Sequence, residues 1–169
     1  WEIADAVTAL KESTCTNNAL LGVSCHDNAE LAVASSLCAT EAGVDVVMGT
    51  VNGFETTADL ASVIPILQLK MGKQLVSAEN LAGLTLLSRS VDEQCNSPHR
   101  INQPFVGQSA FAHKGGIHVA AVLKNEDSYQ HINPVVVGNE RRVLISELSG
   151  RGNIMSKVEE FGMLGQGGG

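Results

Sequence analysis

With 169 residues, 11 Lys and Arg against 18 Asp and Glu, a formal charge of −7 and 44% hydrophobic side chains, the chain reads as a mildly acidic globular protein. That length leaves no room for a complete (β/α)₈ barrel of about 250 residues, but it allows one or two compact units. The only basic cluster is Arg141-Arg142, which argues against nucleic acid as the main partner, because phosphate neutralisation needs clustered cations. No apolar stretch approaches the ~20 residues of a membrane span, and Trp1-Glu2-Ile3 opens neither a signal peptide nor a transit peptide, so a cytoplasmic protein is expected. Cys15, Cys25, Cys38 and Cys95 form no zinc spacing and read as reduced thiols. Cys25 and Cys38 are expected to pack as small hydrophobes.

In chain order, Ile3, Ala6, Val7 and Leu10 predict an amphipathic helix over 3–12. After a polar turn, the apolar run Ala19–Val23 suits a strand covered on both faces. Asn28 is the expected N-cap of a helix over 29–42 that buries Leu31, Ala34, Ser35 and Cys38, with Gly43 as its stop. A second β-branched strand is expected over 44–51 and a third helix over 57–70. This alternation with short loops is the mark of parallel βα units.

From Met71 the alternation ceases, which places a domain boundary there. A long helix is expected from Ser77 to Asn96, with Leu81, Leu84, Leu87, Ser88 and Val91 along one side and Ser97-Pro98 ending it. Residues 99–115 read as loop. A short helix over 116–124, a turn at Asn133-Pro134, a last helix over 153–161 and a Gly-rich tail over 162–169 complete the chain.

Two polar clusters stand out: Ser24-Cys25-His26-Asp27-Asn28 at the C-terminal end of the first strand, where parallel α/β folds collect their chemistry, and His113-Lys114-Gly115-Gly116-Ile117-His118. Read as whole strings, the segments 22–36, 49–53, 64–72, 109–124 and 143–154 closely resemble the 2-isopropylmalate, homocitrate and citramalate synthase family, and most of all the longer citramalate synthase type. The resemblance runs from about residue 3 to about residue 160, and its most specific string is Ala110–Lys124.

The resemblance implies an α/β fold: the last two βα units of a TIM barrel (units 7 and 8) over residues 1–70, followed by mainly helical linker subdomains over 71–161 and a flexible tail over 162–169. In such enzymes acetyl-CoA condenses with a 2-oxo acid. A divalent metal (Mg, Mn or Zn) chelates the 2-oxo acid and polarises its carbonyl, while a base removes a proton from the acetyl methyl group. Acetyl-CoA and a 2-oxo acid are the implied substrates, a homodimer through the linker region the implied assembly, and branched-chain amino-acid synthesis (isoleucine or leucine) the implied role. Neither nucleic acid nor membrane is an expected partner. The earlier barrel units, with an Arg-Asp pair on the first strand, and the C-terminal regulatory domain of many members are not matched by these residues.

The same resemblance names His118 as the residue that assists proton transfer, reaching over the barrel mouth of a partner subunit, and His26 as a metal ligand. His113 and Tyr129 are read as assisting residues at most, neither of them essential. The family carries His-x-His at the end of this strand, aimed at one metal by the period of the strand; here the first position is Ser24. The family's later Gly-Glu-Arg-x-Gly-Asn loop supplies a ligating Asn, whereas Phe54–Asp59 is shorter and has no matching Asn, and Asp27-Asn28 reverses the usual order. Two readings follow. The first is part of a condensing synthase, inactive as this chain alone; the second is a non-catalytic relative that keeps the linker and dimerisation module. A separate small metal site of Cys25, His26 and Asp27 is disfavoured, because adjacent residues on a strand end do not face one ion.

Overall fold

The computed structural model describes residues 2–13, 19–113, 131–143 and 158. The chain divides into two compact units: Trp1–Asn80 with Leu86–His99, and Leu81–Thr85 with Arg100–Gly169.

The first unit opens with helix α1 (Glu2–Glu12), whose acidic first turn and Lys11 in the last turn both suit the helix dipole. Strand β1 (Gly22–Ser24), helix α2 (Ala32–Glu41) and strand β2 (Val46–Met48) follow. The strands pair in parallel, with Gly22 opposite Val46 and Ser24 opposite Met48. Only one face of this sheet is covered. Both strands show exposed, half-buried, exposed, which corrects the expectation of a doubly covered strand. Val23 and Val47 turn toward the helices, where Cys25, Ala32, Ala58, Val63 and Leu67 form a core, while Met48 remains 58% exposed on the other face.

Helix α2 begins later than expected and is rotated. It buries Ala32, Ser36 and Ala39, and Cys38 faces solvent. Small side chains let the helix axis lie close to its neighbours, and the Ser36 hydroxyl is satisfied by the Ala32 carbonyl at 2.8 Å. The expected stop holds: Gly43 follows at φ +102°. Helix α3 (Leu60–Pro65) is capped by Asp59, whose carboxylate accepts from the Ala61 N–H at 2.8 Å. A wider turn over Ile66–Lys70 continues it. Gln68 then holds the outgoing chain, its Nε2 donating to the Val76 carbonyl and its Oε1 accepting from the Val76 N–H.

The expected long helix is two: α4 (Ala78–Ala82) and α5 (Leu84–Gln94). Its buried stripe runs Leu81, Leu84, Ser88, Asp92, while Leu87 is exposed. Ser88 lies on the expected side, whereas Asp92 takes a buried position in place of Leu87.

In the second unit, Asn139 Nδ2 donates to the carbonyls of Phe105 and Gly107, closing the turn that Phe105 enters at φ +64°. His131 packs edge-on to Phe105 and flat on Phe111. A tight turn over Pro134–Val137 is capped by Asn133 and ends at Gly138. Strands β3 (Ala112–His113) and β4 (Arg142–Val143) pair in parallel. The helix expected over 116–124 lies outside the described residues, as does that over 153–161 apart from Val158, which is helical. Among the described residues no helix is long and apolar enough to cross a membrane.

Candidate functional site

The alternation of β1 continues past its last residue. Gly22, Ser24 and His26 are exposed on the open face of the sheet, whereas Cys25 is 6% exposed and points into the helix-side core. Ser24 and His26 therefore share one face, as the strand period requires. Cys25 does not join them. Asp27 is also engaged elsewhere: its N–H donates to the Thr56 carbonyl at 2.6 Å and its Oδ1 accepts from the Ala32 N–H at 2.8 Å. It thereby ties down the entry to α2, the role sequence patterning gave to Asn28.

Opposite this strand end lies the loop 51–56, joined to it by an antiparallel bridge between His26 and Thr57. Thr50 closes the base of the loop, its hydroxyl bonding the Phe54 carbonyl at 2.9 Å and the Thr57 hydroxyl at 2.8 Å. The backbone is left-handed at Asn52, Glu55 and Thr56, with φ of +67°, +57° and +56°. For Thr, branched at Cβ, that region is a rare one.

A buried polar network backs the loop. Asp59 Oδ1 accepts from the Asn52 N–H at 3.0 Å. The Asn52 side chain reaches the other way, Nδ2 donating to the Ser88 carbonyl at 2.8 Å and to Asp92 Oδ1 at 2.7 Å, and Oδ1 accepting from the Ser88 hydroxyl at 2.6 Å. Asp92 Oδ2 bonds His99 Nδ1 at 2.6 Å. None of these residues was singled out for such a role from sequence. Asn52-Gly53 is a recognisable left-handed turn pair, and Ser88 and Asp92 stand one helical turn apart, but nothing local says that they meet.

The residues at hand do not by themselves fit a divalent cation. The open face offers one imidazole and one hydroxyl, and among the described residues no group of three or more His, Cys, Asp or Glu is placed to hold a metal ion. His113 is the second residue of β3; His118 and Tyr129 lie outside the described residues.

Two family models match. The HMGL-like model covers residues 1–81, and the model for the homocitrate synthase post-HMGL domain covers residues 105–166. The chain is 48% identical over 165 residues to an (R)-citramalate synthase of Aquifex aeolicus, covering 96% of this chain and 31% of the relative. It is 49% identical over 146 residues to an (R)-citramalate synthase of Synechocystis, covering 85% of this chain and 27% of the relative. A 2-isopropylmalate synthase of Proteus mirabilis is 34% identical over 151 residues, covering 86% and 29%. The chain belongs to the citramalate, 2-isopropylmalate and homocitrate synthase family. It spans just under a third of the length of these curated relatives. The HMGL-like family is a TIM barrel, and the described first unit is α/β with a two-stranded parallel sheet. The HMGL-like match contains Ser24, His26 and Asn52; the post-HMGL match contains His118.

Proposed function

We propose that this chain is part of an acetyl-CoA-dependent Claisen-condensing synthase of the citramalate or 2-isopropylmalate type, an acyltransferase of branched-chain amino-acid biosynthesis that works in the cytoplasm. The observation that carries the reading is the match to (R)-citramalate synthase along 96% of the chain. In this reading residues 1–70 are the last two βα units of the barrel, residues 71–161 the linker that joins two copies, and residues 162–169 a tail. Among the described residues β1 pairs on one edge only, and a groove of about 370 Å³ lies between α1 and β1; both support it, since a preceding barrel strand would pair and pack there.

A divalent metal, when bound in the family, polarises the carbonyl of the 2-oxo acid. Because Ser24 stands beside His26 where a second imidazole is needed, no step through a metal is derived for this chain. Its own residues carry two parts of the task. His26, on the open face at the C-terminal strand end, presents an imidazole toward the barrel mouth, and the loop 51–56 walls that face. His118 is the group assigned to proton transfer, delivered to the barrel of a partner subunit.

Ser24 and the short loop also favour a second reading, a non-catalytic relative that retains the linker module. A chimera separates the two: residues 1–161 replace the matching segment of a full-length citramalate synthase, and CoA thiol release is followed with pyruvate, 2-oxoisovalerate and 2-oxoglutarate. The synthase reading expects turnover that rises with Ser24→His and is lost with His118→Ala. A folded chimera inert in every form favours the non-catalytic relative.

A further inference from the structure

We propose that Asp92 and His99 are positioning residues for the loop 51–56 that borders His26. The loop carries left-handed backbone at Glu55 and Thr56, which neither side chain favours, so its shape must be imposed from outside. The anchor is Asn52. Its main chain is bound to Asp59 on one side, and its side chain to Ser88 and Asp92 on the other. Both Nδ2 hydrogens are used and Oδ1 accepts from Ser88, so a flipped amide would set its oxygen against two acceptors. That fixes the side chain, and with it the backbone at the loop's entrance.

Asp92 holds the far end of the anchor, and its own orientation is set by His99. A carboxylate only accepts, so His99 Nδ1 carries the proton of the 2.6 Å bond. Among the described residues His99 Nε2 is buried without a hydrogen-bond partner, so this imidazole is committed to Asp92 alone. All five residues of the chain Asp59, Asn52, Ser88, Asp92 and His99 belong to one compact unit. The arrangement runs from α5 and the segment after it to the loop facing His26, and it stands whether or not the chain takes part in a condensation.

The test is amide hydrogen exchange on the full chain, read at Gly53, Thr57 and Asp27, whose N–H groups donate to Thr50, Phe54 and Thr56 carbonyls. Asp92→Asn, which exchanges a charge-assisted bond to Asn52 for a neutral one, is expected to speed these amides about tenfold, while Ser36 and Ala39 in α2 stay unchanged. In an Asn52→Gly background, where the left-handed backbone is kept but the side-chain anchor is gone, Asp92→Asn should add nothing. His99→Gln, a milder change, is expected to act on the same amides in the same direction. The imidazole ¹⁵N shifts of His99 should report protonated Nδ1 in the unaltered chain and a changed tautomer in Asp92→Asn. Acceleration shared equally by Ala39, or an equal effect in the Asn52→Gly background, would overturn the proposal.

Discussion

Ser24 and His26 present their side chains to the same open face of the β1–β2 sheet, and Cys25 between them is buried. This places a hydroxyl where the family pattern has an imidazole. A serine hydroxyl is a poor ligand for the ions concerned, and tight sites need several convergent donors with ordered support. Calorimetry with Mg²⁺, Mn²⁺ or Zn²⁺ on the isolated chain is expected to show no submicromolar site. Ser24→His should not create one. A single tight, stoichiometric site abolished by His26→Ala would contradict this.

Asp59 is a buried carboxylate that accepts from the Asn52 N–H, the Ala61 N–H and the Ser62 hydroxyl. Asp59→Ala removes an N-cap and strands buried donors at once, so a loss of about 2–4 kcal/mol is expected. Urea unfolding measures it. A loss below about 1 kcal/mol, no more than a single exposed cap is worth, would show that the network carries little of the stability.

Gly138 and Gly72 both have left-handed backbone, at φ +71° and +68°. A Cβ at Gly138 would lie 2.0 Å from the Ala82 carbonyl oxygen, whereas none of its neighbours crowds one at Gly72. Gly72→Ala should cost about 1–2 kcal/mol, the strain of the backbone region alone. Gly138→Ala adds a collision with main chain, and a total of about 3 kcal/mol or more is expected from thermal or urea unfolding. Equal costs at the two positions would mean that the turn at Gly138 shifts freely.

Much of the first unit was legible because it depends on local pattern. The parallel strands follow from apolar runs, the stop of α2 from Gly43, and the shared face of Ser24 and His26 from the strand period. What stayed hidden depends on partners far along the chain. Ser88 reads as part of the packed side of its helix and Asp92 as part of the solvent side, and neither shows its role until Asn52, 36 and 40 residues away, is brought against them. The rotation of α2 was missed for a related reason: Leu31 and Cys38 outweigh Ala32 and Ala39 on any hydropathy pattern, yet close packing selects the small residues. The open face of the sheet could not be read from apolar runs at all, because Val46 and Met48 are apolar and exposed.

That open face sets a stability order. β1 and β2 are each three residues long and, among the described residues, each pairs on one edge only, with one side of the sheet exposed, a combination that favours local opening. In the isolated chain, amides of 20–23 and 46–51 are expected to exchange faster than those of α5. Strong, uniform protection of both strands in a monomer would count against it.

The proposed role of His118 is service to the barrel of a partner subunit. The direct measurement mixes this chain with a full-length citramalate synthase whose matching histidine has been replaced, and follows CoA release with a 2-oxo acid. A positioned general base contributes about 10² to 10⁴-fold, so restored turnover should stand well clear of the mutant background and vanish with His118→Ala. Mixed dimers that form readily yet restore nothing would contradict the account and leave the linker as an assembly module alone.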